Sequence, residues 1–237
     1  MTPDVIIVQN SGYQLAGLLE RVLKEHDTMY QAIDVSKGEH LPDLTGFRAV
    51  IILGGTGSAN DANEIFQGEI AAIAQAVQAQ IPLIAIGLGM HLLVKAARGT
   101  VVPSPVKEAG FIDAANVQYA VTLTAEGRQD PIFAGLSDTM QVFQNHIETV
   151  TLPAGAQLLA TGKDVPNQII KVGSNAYGFQ PHFEMDDAML QAWAELEPEI
   201  KPIGAPKLLD TFARQRGTYT VTGLTLFRNF LNAVNFF

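Results

Sequence analysis

Cysteine is missing from all 237 residues. That excludes disulfides, thiolate metal sites and any chemistry in which this chain supplies a thiol. Basic residues are few: 15 Lys+Arg stand against 24 Asp+Glu, a formal charge of -9 with no basic cluster. Nucleic acids and anionic membranes normally need a positive footprint, so the expected partners are small molecules or proteins. Long apolar runs are also lacking. The longest nearly apolar stretch, residues 81–94, is too short for a bilayer and is interrupted by Gly87, Gly89 and His91. Met1-Thr2-Pro3-Asp4 carries no positive charge before an apolar run of residues 5–8 alone, so no signal peptide and a cytoplasmic location are expected. No Ser/Gly/Pro-rich linker or charge block divides the chain. With 47% hydrophobic and 16% charged residues it reads as one well-buried domain over residues 1–237.

What is present begins with β-α repetition. A β-branched run at residues 4–8 leads through Asn10-Ser11-Gly12 to Leu15, Leu18, Leu19, Val22 and Leu23 at helical spacing. Further strands are expected at 29–35, 49–53 and 82–86, the run at 49–53 ending in Gly54-Gly55-Thr56-Gly57-Ser58. A helical face of Phe66, Ile70, Ile73, Ala74 and Val77 separates the last two. This alternation predicts an α/β fold with a mostly parallel sheet flanked by helices. The second half changes character. Short strands are expected at 117–124, 139–143, 157–160, 167–172 and 176–179, as antiparallel additions. Two helices, near 187–196 and 224–234, close the chain on either side of a segment bearing Pro198, Pro202 and Pro206.

Residues 81–93 describe a buried strand turning sharply into a helix, with Ala85 and Gly89 flanking Gly87 at the tip. Enzymes use such a strand-turn-helix to present a nucleophile to the crevice beyond the strand ends. On spacing alone an ordinary βα turn fits as well. The segment resembles the elbow of class I glutamine amidotransferases, Gly-Ile-Cys-Leu-Gly-Met/His-Gln-Leu-Leu, with Gly87 where that family has cysteine and His91 where it has glutamine. Gly54-Gly55-Thr56-Gly57-Ser58 resembles the family's Gly-Gly-Pro-Gly-Ser. Gly178-Phe179-Gln180-Pro181-His182-Phe183-Glu184 resembles its Gly-Val-Gln-Phe-His-Pro-Glu. Val121-Thr122-Leu123-Thr124, Asp130-Pro131-Ile132-Phe133-Ala134-Gly135-Leu136 and Val142-Phe143-Gln144-Asn145-His146 are similar to stand-alone, GMP-synthase-like members.

The resemblance implies a flavodoxin-like fold and hydrolysis of the glutamine side-chain amide to glutamate and ammonia. It also implies roles for particular residues. His182 would be the base, Glu184 its orienting partner, and Gly55 and Leu88 the donors of oxyanion N–H groups; His91 and His146 would lie in the substrate pocket. Elementary chemistry agrees on what amide hydrolysis needs: a nucleophile, a base, a group orienting the base, and donors facing the developing oxyanion. Alternate residues of an extended segment share a face, so Glu184 can reach the His182 imidazole. The nucleophile is the exception, because Gly87 has no side chain and Ser58 or Thr56 would attack from the wrong element.

Other motifs fail. Gly55-Thr56-Gly57-Ser58 lacks the third glycine of a dinucleotide fingerprint, and no Walker A pattern occurs, so no cofactor is expected. His182-Phe183-Glu184 lacks the cysteines of a zinc deaminase, and the five histidines are dispersed, so no metal site is expected. His26 and His40 read as solvent positions. Three functions stay open: an amidotransferase by descent; a pseudoenzyme binding a glutamine-like ligand or a partner synthetase; and a hydrolase of a γ-glutamyl or other small amide using water activated by His182 and Glu184.

Overall fold

The computed structural model describes residues 3–236, so the Met1-Thr2 part of the leader reading lies outside the described residues. Five strands form a parallel block in the order β2 (Tyr30–Asp34), β1 (Val5–Asn10), β3 (Ala49–Gly55), β4 (Leu83–Ile86) and β11 (Ala176–Phe179). The sheet continues in antiparallel pairing through β10 (Ile169–Val172), β9 (Gln157–Thr161), β6 (Ala120–Leu123) and β7 (Thr139–Gln141). β5 (Val101–Gly110) and β8 (Gln144–Val150) form a separate antiparallel pair.

Because successive strand residues face opposite ways, the apolar runs feed two cores. Val5, Ile7, Ile51, Leu53, Ile84 and Ile86 pack with α1 (Gly17–Glu25), α4 (Asp187–Leu196) and α5 (Ala205–Ala233). Ile6, Val8, Val50, Ile52, Leu83 and Ala85 pack with α2 (Glu64–Gln78) and α3 (Leu88–Ala96). The expected α/β sheet flanked by helices, parallel first and antiparallel later, is the fold observed.

Three details depart from expectation. Residues 176–179 join the parallel block beside β4 rather than the antiparallel additions, which brings the 180–184 segment to the same sheet end as the elbow. β5 and β8 carry little period-2 signal, since neither alternates regularly between buried and exposed positions. The last helix begins at Ala205, well before 224: Pro206 occupies its first turn, where a missing N–H and a fixed φ favour helix, so that proline starts the element instead of interrupting it. Among the described residues no helix is long and apolar enough to cross a membrane.

Candidate functional site

The site lies at the carboxyl ends of the central parallel strands, where open α/β sheets place their ligands. β4 is four fully buried apolar residues and stops at Gly87, whose N–H donates to the Phe179 carbonyl at 2.8 Å. Gly87 adopts φ 57°, ψ -118° and leads directly into α3. This conformation is open to glycine and strained for other residues. Leu88 is the first residue of α3, so its N–H has no intrahelical acceptor and remains a donor at the cleft it lines.

His182 follows β11 and is held by short backbone bonds. Its N–H donates to the Phe143 carbonyl at 2.8 Å, and its carbonyl accepts from the Tyr219 hydroxyl at 2.8 Å. Burial pushes the Tyr219 hydroxyl well above its ordinary pKa, so it stays a donor. The imidazole is packed edge-on against Phe143 and Trp193. Its Nδ1 lies 2.5 Å from Glu184 Oε1, and the other Glu184 oxygen accepts from the Phe183 N–H at 2.9 Å. Both side chains are about 3% exposed, so water does not compete for this bond.

The opposite ring edge faces Gly87. A Cβ built on Gly87 falls 3.4 Å from His182 Nε2 and 3.3 Å from its Cε1, with the Gly54 Cα at 3.7 Å. A side chain at position 87 would therefore emerge beside the imidazole nitrogen, at the edge of allowed contact with the ring and in ordinary contact with the Gly54 backbone. The glycine loop closes the other side. At Gly54 a Cβ would meet Gln14 Oε1 at 2.4 Å, and at Gly55 it would meet the Asn10 Cβ at 2.5 Å and carbonyl oxygen at 2.8 Å. A glycine at position 55 lets this loop lie directly against the end of β1, where a side chain would run into the Asn10 backbone.

The adjoining cleft, about 210 Å³, is lined by Gly55, Gly87, Leu88, His91, His146 and Glu148 among others. His91 Nε2 pairs with Gln180 Oε1 at 3.1 Å, and burial pushes its pKa down to about 4, so it is neutral near pH 7. Its Nδ1 stands 4.0 Å from Glu148 Oε2, too far for a hydrogen bond. His146 Nε2 bonds Glu108 Oε2 at 2.8 Å across the β5–β8 pair, and Gln168 reaches the same oxygen at 3.3 Å. Ser58 Oγ donates to Glu148 Oε1 at 2.8 Å, which engages it away from His182.

The structure thus brings Gly55, Gly87, Leu88, His91 and His146 into one cleft, with His182 and Glu184 buried immediately behind Gly87. Glu148, Gln180, Asn145 and Glu197 also line it and were given no role from sequence. Gln180 and Asn145 lie inside the 178–184 and 142–146 segments that resemble the family. Glu148, two residues beyond His146, and Glu197, buried past the end of α4, carry no local signal, because a lone glutamate in a sequence does not reveal that the fold will enclose it. Among the described residues no group of three His, Cys, Asp or Glu is arranged to hold a metal ion.

A parallel sheet with a strand-to-helix elbow facing a buried His–Glu pair places the molecule among amidotransferase-type α/β proteins. Residues 7–188 match the sequence model of glutamine amidotransferase class-I. YfeJ of Salmonella typhimurium, a glutamine amidotransferase-like protein, is 30% identical over 186 residues, 76% of this chain and 75% of that protein. The GMP synthase [glutamine-hydrolyzing] of Syntrophomonas wolfei is 29% identical over 196 residues, 78% of this chain but 34% of that enzyme, so the chain spans about a third of that relative's length. A glutamine amidotransferase structure from Thermotoga maritima superposes with TM-score 0.84 at 25% identity, covering 96% of this chain and 97% of that one. The chain belongs to the class-I glutamine amidotransferase family.

Proposed function

We propose that this chain binds a glutamine-like small molecule in the cleft beside Gly87 without turning it over, as a single-domain, non-hydrolysing member of its family. One observation carries the reading: a Cβ at position 87 would lie 3.4 Å from His182 Nε2, so the base is aimed at a place from which the nucleophile is missing. With no cysteine anywhere in the chain, no thioester forms. His182, oriented by Glu184, and the N–H groups of Gly55 and Leu88 are the roles we assign within the inherited frame; His91 and His146 line the ligand pocket. A partner synthetase remains part of this proposal, because relatives of this chain include GMP synthases.

The test is a glutaminase assay of the unmodified chain beside Gly87→Cys, together with labelling by diazo-oxo-norleucine, which alkylates a thiolate. The unmodified chain is expected to show neither turnover nor labelling. Loss of a covalent nucleophile leaves residual catalysis on the order of 10³–10⁴ over water. Gly87→Cys is expected to label, since a neighbouring imidazole raises the thiolate fraction. A second reading is favoured by the intact 2.5 Å His182–Glu184 bond: the pair activates water directly on a γ-glutamyl or other small amide. Turnover by the unmodified chain that disappears in His182→Ala would establish that reading in place of the first.

A further inference from the structure

Away from the cleft lining, Glu69 of α2 and Asn10 of β1 meet in the interior, 1% and 5% exposed. The Asn10 Nδ2 group donates to the Leu53 carbonyl at 3.3 Å and to Glu69 Oε2 at 3.2 Å. Turning the amide over would set its oxygen against both of these acceptors, so its orientation is fixed. Two oxygens are left over. Among the described residues neither Asn10 Oδ1 nor Glu69 Oε1 has a hydrogen-bond partner, and both atoms are buried. An ionised Glu69 leaves both unsatisfied, because a carboxylate and an amide oxygen only accept. A hydrogen on Glu69 removes the deficit: a neutral acid beside a primary amide donates O–H to the amide oxygen and accepts N–H in return.

This pair is joined to the glycine loop. Leu53, whose carbonyl takes the Asn10 amide, immediately precedes Gly54, and Asn10 is in register with Gly55 across the β1–β3 pairing. The Asn10 Cβ and carbonyl oxygen stand 2.5 and 2.8 Å from where a Gly55 Cβ would be, and Gly55 lines the cleft. A displacement of Asn10 is therefore felt at the cleft wall.

We propose that Glu69 is held as a neutral acid donating its carboxyl hydrogen to Asn10 Oδ1, and that this closed acid–amide pair positions the glycine loop at the cleft. Glu69 is then a positioning residue. The inference rests on the proposed frame in which Gly55 supplies an oxyanion N–H. Loss of the hydrogen sets a buried charge against an amide oxygen, and the loop yields. Burial favours the neutral form and outweighs the Asn10 bond, bringing the carboxyl to a pKa of about 7, so the pair opens as pH rises through neutrality. Around the pocket that Glu69 borders, the titratable groups are Glu39, His40 and Asp43 after β2 and Glu64 of α2, all exposed; Asp34, at the end of β2, is bound to Lys37.

Carboxyl-carbon and backbone-amide NMR on the full chain from about pH 6 to about pH 8, roughly one unit either side of that value, tests the pair. The Glu69 carboxyl carbon should move from its neutral to its ionised position, and the Gly54 and Gly55 amides should follow with the same midpoint. In Glu69→Gln, whose amide offers a donor and an acceptor at every pH, the two glycine amides should stop moving. For the link to the cleft, the diazo-oxo-norleucine labelling rate of the Gly87→Cys, Glu69→Gln double variant is divided by that of Gly87→Cys, which cancels the titration of the introduced thiol. This ratio should rise roughly tenfold across the interval, a fraction of the roughly 10²–10³ that loss of an oxyanion donor costs. A Glu69 carboxyl ionised throughout, or glycine amides that still titrate in Glu69→Gln, would overturn the proposal. A flat ratio beside moving amides would support the acid–amide pair and overturn its role at the cleft. Absence of labelling in both variants would overturn the inherited frame instead, and the amide shifts would then decide for or against the pair.

Discussion

Gly87 has its backbone in a region strained for any side chain, and a Cβ on it would press on the edge of the His182 ring at 3.3 Å, with no backbone atom nearer than 3.7 Å. Gly87→Ala should therefore cost the backbone strain, about 1–3 kcal/mol, together with a slight displacement of the His182 ring, and lower the urea midpoint without changing the slope. Glu184 acts on the other edge of the same imidazole. In a Gly87→Cys background, Glu184→Gln keeps the side-chain volume but exchanges a charged acceptor at 2.5 Å for a neutral amide. Labelling by diazo-oxo-norleucine should slow by about 10²-fold or more, with the fold intact by circular dichroism. Labelling at an unchanged rate would mean that Glu184 does not orient the base.

At the scale of elements, the site depends on close backbone approaches. A Cβ at Gly89 in α3 would stand 2.4 Å from the Ile52 carbonyl oxygen of β3, and no flexible side chain is there to yield. Gly89→Ala should thus cost more than Gly87→Ala, about 3 kcal/mol or more, read from the same urea curves. The 182–184 segment is clamped from two sides: Cβ atoms at Gly17 of α1 and Gly223 of α5 would lie 2.0 and 2.3 Å from the carbonyl oxygens of Glu184 and Phe183. Tyr219→Phe removes the 2.8 Å donor to the His182 carbonyl and should destabilise the chain by about 1–2 kcal/mol. How much of this was legible in the sequence follows from the range of the forces involved. β1, β3 and β4 announce themselves because burial on both faces demands unbroken apolar runs. The elbow, the glycine loop and the 178–184 motif stand out because few residue types fit them. The β5–β8 pair and the Glu148–His91 opposition arise from contacts between distant segments, which no local pattern encodes, while the early start of α5 turns on Pro206, a residue that can begin a helix as readily as end one.

For the whole molecule, two buried groups give opposite responses to pH. His91 keeps a pKa of about 4 when folded, against 6.5 as the ordinary value, because burial disfavours its charged form. The unfolded chain takes up that proton first as pH falls, so this group withdraws stability between about 6.5 and 4. Glu69 of α2, which accepts from Asn10, is pushed up by burial from 4.5 to about 7. Its folded form holds a proton that the unfolded chain has lost, so stability falls as pH rises from about 4.5 to 7. Glu69→Gln keeps an acceptor for Asn10 and removes the second response. Relative to wild type it should gain on the order of 2–3 kcal/mol between those limits, measured as the difference between urea curves at each pH. A difference that stays constant would show that Glu69 is ionised in the fold. The clamp that α5 places on His182 and Phe183 also has a consequence in time. Ribosomes emit roughly 5–20 residues each second, so the segment bearing His182 and Glu184 exists for roughly 2–8 s before Tyr219 and Gly223 are made. Nascent chains halted within that interval carry His182 and Glu184 but not Tyr219 and Gly223, the α5 residues that fasten this segment, which makes the finished site a late product of translation.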